Sequence, residues 1–287
     1  MLAAISVQFL ALRKRPLVKV MFAIYVALLL LQFFAPVGLL RIAPQLGNAL
    51  NPEAALALEQ TVRLPFAFAT IFGQINGIGG LLLMIIAGAF VGGDYTWGIT
   101  RTLLARQPGR GRYLLAKFSA LALLAAIWVI VSVPLGAGCA LLAGALLDLP
   151  QSIALADLTL VLRGLLIAWV GLLPYLALAT CWAVLGRGVV AGIAGSIGYW
   201  LFEIGFGVAS IFRMLGSFGE RIYNFTLAQS VGAWTDLTRQ AFNLDVGRAF
   251  GQFGFSFPSL LQSGIMLLIY GLLFGGGAWW GIRRRIV

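Results

Sequence analysis

The sequence predicts an all-α polytopic membrane protein with six transmembrane helices. Hydrophobic residues make up 61% of its 287 residues and charged residues only 10%, whereas a soluble domain carries about 25% charged residues. A soluble fold of this size cannot hide such an apolar surplus from water. Six apolar segments reach the roughly 20 residues that a helix needs to cross a hydrocarbon core. They lie at about 17–40, 64–91, 114–147, 158–185, 189–212 and 259–282.

The distribution of lysine and arginine predicts that both termini are cytoplasmic. With six spans and this orientation, 13 of the 20 basic residues fall on the cytoplasmic side and 7 on the outer side, in agreement with the positive-inside rule. The first apolar segment is too long for the hydrophobic region of a cleaved signal peptide. We therefore expect it to be retained as the first span.

The connections between the spans also carry structural predictions. Residues 1–16 place Leu2, Ile5, Phe9 and Leu12 at helical spacing, which indicates an amphipathic helix along the inner membrane interface; the alternative is a frayed start of the first span. The outer segment 213–258 is rich in aromatic residues, so we expect short helices at the outer membrane surface rather than a flexible linker. The third span is long enough to tilt or to break near Pro134, and Pro174 predicts a kink in the fourth span.

Composition excludes several functions. The chain has no histidine, which removes His-containing zinc sites and Ser-His or Cys-His nucleophiles. Cys139 and Cys181 lie in apolar segments and are expected to be small buried residues. The net charge of +11 is not gathered in a soluble basic domain, so nucleic acid is not an expected partner. No Gly-x-x-x-x-Gly-Lys-[Ser/Thr] phosphate loop is present, so we expect no enzymatic activity, no cofactor and no metal in this chain itself.

Two sets of residues within the spans are candidates for a role. Glu203 is an acid inside a predicted span, where a carboxylate is costly; it could line a translocation path, pair with an arginine such as Arg213, or hold the structure near the outer interface. Gly188, Gly192 and Ser196 recur at four-residue spacing, which lets helices approach closely. That contact could lie within the chain or at the seam of a dimer.

The cytoplasmic connection 92–113 is the most informative stretch. Thr96 to Ala105 can form a short helix, Pro108-Gly109 a turn, and Arg110 to Lys117 the entry to the third span. From its residues alone, it could be an ordinary positive-inside loop.

This connection resembles the corresponding loop in permease subunits of ABC transporters, specifically the ABC-2 type exporter family. That loop has an acid, a Gly-Thr-x-Arg element, two apolar residues, and then a Pro and an Arg before a Lys that starts the third span. The matching positions are Asp94, Gly98, Thr100, Arg101, Leu103, Leu104, Pro108, Arg110 and Lys117. Two positions depart from the pattern, since Asp94 replaces the usual Glu and Ile99 separates Gly98 from Thr100. The interfacial helix, the six spans and the elaborated outer segment are also similar to this family.

The resemblance implies a single permease domain over 1–287, in the cytoplasmic (inner) membrane of a prokaryote. The loop would be a coupling helix between spans 2 and 3 that contacts a separate ATPase subunit. Its contact residues would be Asp94, Tyr95, Gly98, Thr100, Arg101, Leu104 and Arg110. The assembly would contain two ATPase subunits, which bind ATP and Mg, and a second permease copy or a paralogous permease. Membrane lipids and an extracytoplasmic protein are further expected partners, and the complex would move a substrate or transmit mechanical force.

Three other classes of function compete with this one. A secondary transporter or channel would show more intramembrane carboxylates and an internal repeat. A membrane enzyme would show clustered acids, His or Cys at membrane depth. A non-transporting anchor for cytoplasmic partners stays open.

Overall fold

In a computed structural model, the protein is described over residues 2–42, 51–98, 109–208, 216–242 and 257–284. All regular secondary structure in these ranges is helical. The helices are α1 Leu2–Lys14, α2 Pro16–Ile42, α3 Pro52–Val62, α4 Ala67–Thr96, α5 Arg110–Leu146, α6 Leu155–Leu185, α7 Val189–Val208, α8 Gly216–Asn224, α9 Leu227–Ala241 and α10 Leu260–Arg284.

Five of these helices are long and apolar enough to cross a membrane, namely α2, α4, α5, α6 and α10. They confirm the prediction of a multi-pass membrane protein and five of its six spans. The remaining predicted span corresponds to α7, of which the stretch Val189–Glu203 is apolar but short. Six spans with both termini on one side therefore stay a prediction.

The break predicted near Pro134 of α5 is wrong, whereas tilting of that span and a kink at Pro174 of α6 stay predictions. Both helices run without interruption through Pro134 and Pro174. In a membrane protein, packing against neighbouring helices can compensate for the hydrogen bond that proline removes; Val133 and Gly136 beside Pro134 are buried. An irregularity not predicted from the sequence is a π-helical turn at Ile75–Gly79 within α4. The helix α3 was not predicted either.

The core forms around α4 and α6. In the most apolar window of each of these helices, 72% of the residues are buried, against 22% in α2 and 28% in α10. Helices α7, α5 and α10 pack around this pair. The central position of α4 matters because it leads directly into the connection that resembles the ABC-2 type loop.

The two shorter predicted regions are helical as expected. The N-terminal helix α1 ends at Lys14, and it packs against α5 with Leu12 fully buried. In the outer segment, α9 packs against α4, α6 and α10. It buries one side through residues such as Leu227 and Val231. The aromatic residues at 250–255 of that segment lie outside the described residues.

Candidate functional site

A buried carboxylate lies at the end of α4, immediately before the connection to α5. Asp94 is only 6% exposed. Its Oδ2 lies 2.6 Å from the Lys117 Nζ and accepts a 2.6 Å hydrogen bond from the Tyr113 hydroxyl. Its Oδ1 lies 3.6 Å from the Arg15 Nη2. Together with Phe90, these four residues form what we call the Asp94 cluster.

Lys117 depends most on these contacts, because it is 0% exposed and lies two turns inside α5. A cation in apolar surroundings is very unfavourable unless it is paired and hydrogen-bonded. Besides its ion pair, the Lys117 Nζ donates to the backbone oxygen of Phe90 at 2.9 Å and lies 4.2 Å from the centre of the Phe90 ring. Phe90 precedes Asp94 by four residues, so both lie on the same face of α4.

Arg15 adds a third element to the cluster, because it lies between α1 and α2. Its Nη1 donates to the backbone oxygen of Ala89 at 3.0 Å, and its guanidinium carbon lies 5.0 Å from the Phe90 ring centre. The cluster thus joins the α1–α2 junction, the end of α4 and the start of α5. These last two are the two ends of the connection that resembles a coupling helix.

Exposure to solvent increases along the residues that follow Asp94. Tyr95 is partly buried and its hydroxyl has no hydrogen-bond partner among the described residues. Trp97 is 80% exposed, and Gly98 has a positive φ of 67° with open space around it. Three residues predicted to contact an ATPase, Thr100, Arg101 and Leu104, lie outside the described residues.

The other two predicted contact residues, Asp94 and Arg110, make contacts within the chain itself. Asp94 faces the chain's own cations, so its predicted contact with a partner stays a prediction and its described contacts are internal. Arg110 begins α5, and its Nη1 donates to the backbone oxygen of Arg283 at 3.0 Å. This bond brings the last turn of α10 next to the loop.

The small residues of α7 form a contact within the chain. A Cβ added at Gly92 would lie 2.5 Å from the carbonyl carbon of Gly188, and one at Gly88 would lie 2.7 Å from that of Gly192. The backbones of α4 and α7 therefore touch along two successive turns. Ser196 is fully buried and donates to the backbone oxygen of its own helix at Gly192, 2.7 Å away. A second copy of the chain cannot use these glycine faces while α4 and α7 stay packed.

Glu203, further along α7, is 1% exposed and lies against the start of α9. Its Oε1 accepts hydrogen bonds from the backbone N–H groups of Leu227 at 2.6 Å and Ala228 at 3.2 Å. The first N–H groups of a helix have no partners within the helix and carry partial positive charge, so they stabilise a carboxylate. Of the three alternatives for Glu203, the described contacts fit a structural role near the predicted outer end; Arg213 lies outside the described residues.

The second carboxylate oxygen of Glu203, Oε2, is buried without a hydrogen bond among the described residues. Tyrosines from several helices surround this carboxylate, and one of them, Tyr223 on α8, lies outside the spans. Burial raises the pKa of the Tyr223 hydroxyl, and the charge of Glu203 raises it further. Tyr270 on α10 donates to the backbone oxygen of Phe225 at 3.0 Å, which fixes α10 to the short turn between α8 and α9.

A long apolar groove of about 820 Å³ runs between α5, α6 and α10. Gly111 and Trp279 lie at its loop end, and Trp234 and Gly264 at the opposite end. In the described part of the chain, no three His, Cys, Asp or Glu residues come together as metal ligands. The wall of the groove is almost entirely apolar, which suits an apolar molecule.

Sequence reasoning included Asp94 and Lys117 in one motif but did not predict that they pair. The available signal was Lys117 itself, since a lysine flanked by Leu114, Leu115, Ala116 and Phe118 in a span requires a counter-ion. The contribution of Arg15 had no such signal, because it stands in a run of basic residues that the positive-inside rule explains.

No protein-family model matches this chain, and no curated protein matches it significantly. Its resemblance to ABC-2 type permeases therefore stays a prediction from the sequence.

Proposed function

We propose that this chain is the transmembrane permease subunit of an ABC transporter of the ABC-2 exporter type. It would couple ATP hydrolysis by a separate subunit to movement of a substrate, or of mechanical force, across the membrane. The observation that carries this proposal is the Asp94–Lys117 ion pair of 2.6 Å. It joins the two ends of the connection that resembles a coupling helix, where a motor subunit would have to act.

The Asp94 cluster gives this connection a rigid base. Ionic hydrogen bonds and close packing in a dry environment allow little independent motion of α4 against α5. A displacement of the loop would therefore move both helices and, through Arg15, the α1–α2 junction. Closure of two ATPase subunits would in this way shift the spans between two arrangements.

The buried acids argue against a secondary transporter. Such proteins use intramembrane carboxylates that exchange ions or protons along the transport path. Here, Asp94 is held by two cations and a phenol, and Glu203 by the N–H groups of α9. Both carboxylates already have structural partners.

Co-purification tests the proposal. The tagged chain is isolated from its native membrane in mild detergent, and the proteins that accompany it are identified by mass spectrometry. We expect an ATPase with a phosphate loop in near-stoichiometric amount. A preparation that transports or binds its partners normally but contains no ATPase would contradict the proposal.

A charge reversal locates the contact. Arg101→Glu changes a position of the motif, whereas Arg106→Glu makes the same change in the same loop outside the motif. We expect the first variant to lose the ATPase and the second to retain most of it, with both chains inserted normally. Asp94 is unsuitable for charge reversal, because an arginine there would add a third cation beside Lys117 and Arg15. Equal retention of the ATPase by both variants would remove Arg101 from the contact.

A further inference from the structure

We infer that the apolar groove between α5, α6 and α10 binds an anionic phospholipid, with its acyl chain in the groove and its phosphate at the loop end. This inference does not depend on the proposed transport function. It rests on the shape of the groove, on the charges at one of its ends and on its position among membrane spans.

The groove has the dimensions and chemistry of a site for an acyl chain. Its volume of about 820 Å³ lies within the roughly 300–1,000 Å³ of small-molecule sites. From Gly264 to Trp279, α10 rises about 22 Å at 1.5 Å per residue, which exceeds half of a hydrocarbon core of about 30 Å. The wall is almost entirely apolar. Added Cβ atoms at Gly271 and Gly275 would meet nothing within 4 Å, so the backbone of α10 is open to an extended hydrocarbon chain.

The loop end of the groove is basic. Arg283 lies with its guanidinium carbon 4.1 Å from the Trp279 ring centre, and Trp279 lines the groove. Arg110 donates to the backbone oxygen of Arg283 and immediately precedes Gly111, another lining residue. Among the described residues, neither arginine forms an ion pair with an acid. Two arginines at the same end of the groove, without a paired carboxylate among the described residues, are suited to a phosphate group.

These charges decide between occupants. An apolar helix of a second copy, or a lipid without a phosphate, would fill the groove but would leave both arginines without an anion. In a zwitterionic phospholipid, the cation of the headgroup offsets the charge of the phosphate. The charge distribution places this end of the groove at the cytoplasmic leaflet, where anionic lipids attract basic residues. An anionic phospholipid fills the groove with its acyl chain and places its phosphate near the two arginines.

The test is photolabelling of the full chain in phosphatidylcholine nanodiscs. Each preparation contains a small fraction of phosphatidylglycerol or of phosphatidylcholine with a diazirine near the end of one acyl chain, and labelled peptides are mapped by mass spectrometry. We expect labels on groove residues such as Leu115, Leu268 and Leu272, with about a 30-fold preference for phosphatidylglycerol from two cations near the surface. Equal labelling by the two lipids would overturn the inference.

Two pairs of variants separate the headgroup from the chain. Arg110→Gln with Arg283→Gln should abolish the preference, and Arg13→Gln with Lys14→Gln, at exposed cations elsewhere, should leave it intact. Gly275→Leu should reduce groove labelling several-fold for both lipids, whereas Gly38→Leu, at an equally open glycine of α2, should not. If the glutamine variants are unstable, Arg110→Lys with Arg283→Lys is used instead, and this variant should keep the preference for phosphatidylglycerol. Cross-links across the groove between two copies, with no lipid label, would instead show that a second copy fills it.

Discussion

The protein buries two acids at opposite ends of its helices and stabilises them in different ways. Asp94, at the loop end, is surrounded by Lys117, Arg15 and the Tyr113 hydroxyl. Glu203, at the other end, forms no ion pair among the described residues and accepts from two N–H groups of α9. Asp94 therefore links three elements by charge, and Glu203 caps the start of α9 by hydrogen bonding.

This difference indicates which helices are rigidly joined to one another. Loss of Asp94 would leave the charge of Lys117 buried without a counter-ion, so the elements that this pair joins move together. The contact at Glu203 involves one carboxylate and neutral backbone groups, and the loss of it affects mainly α9. If a motor acts on this chain, the loop end is built to transmit its motion.

The largest effect is expected at the Asp94–Lys117 pair. Asp94→Leu alone should lower the free energy of unfolding by about 3–5 kcal/mol, because it leaves Lys117 buried without a counter-ion. Lys117→Leu alone should cost less, because Asp94 keeps Arg15 3.6 Å away. The double variant should recover much of this loss, since two apolar residues then pack together while Arg15, one-third exposed, reaches water. Denaturant titration in mild detergent measures all three. Additive losses in the double variant would show that the two residues are not coupled.

The contact between α4 and α7 beside the cluster should be the next most sensitive. Gly92→Ala places a methyl group 2.5 Å from the backbone of Gly188, and overpacking of this kind costs about 1–3 kcal/mol. The matched control is Gly275→Ala, where nothing lies within 4 Å, so the same change should be neutral or stabilising. Thermal unfolding in detergent compares the two. A Gly92→Ala variant as stable as its control would mean that α4 and α7 do not touch.

Glu203 should respond more weakly and with a different pattern. Glu203→Ala leaves the N–H groups of Leu227 and Ala228 without acceptors, with an expected loss of about 1–3 kcal/mol. Glu203→Gln keeps an acceptor oxygen and should lose less than half of that. Hydrogen exchange should show faster exchange confined to α9 in the alanine variant. A glutamine variant as unstable as the alanine variant would show that the charge, not the acceptor, stabilises this end.

The smallest effect concerns a polar contact between α4 and α9. The Asn76 Nδ2 donates to the Thr235 Oγ1 at 3.1 Å, and hydrogen bonds between helices in membrane proteins average about 0.6 kcal/mol. Thr235→Val should destabilise by about this amount. Thr238→Val, on the same helix, removes a buried hydroxyl that bonds only within α9, and should cost less. The difference in unfolding midpoint between the two variants measures the contact.

Much of the fold could be predicted from the sequence, because hydropathy over 20 residues reflects the solvent directly. Five spans, the N-terminal helix and the outer helices follow from it. The π-helical turn of α4 and the continuity of α5 through Pro134 could not, since both depend on which neighbours pack there. At the site, the loop motif identified Asp94 and Lys117 separately. Their pairing, and the contribution of Arg15 from 79 positions before Asp94, depends on tertiary structure that no local pattern encodes.

The measurement that tests the central claim most directly is ATP hydrolysis by the complex that co-purifies with the chain. The wild type is compared with the double variant Asp94→Leu with Lys117→Leu, which leaves residues 95–113 unchanged and removes the ionic link between α4 and α5. We predict that the ATPase co-purifies with both chains and that only the wild type alters its hydrolysis rate when substrate or lipid is added. The same response in both chains, or a complex without an ATPase, would contradict the account.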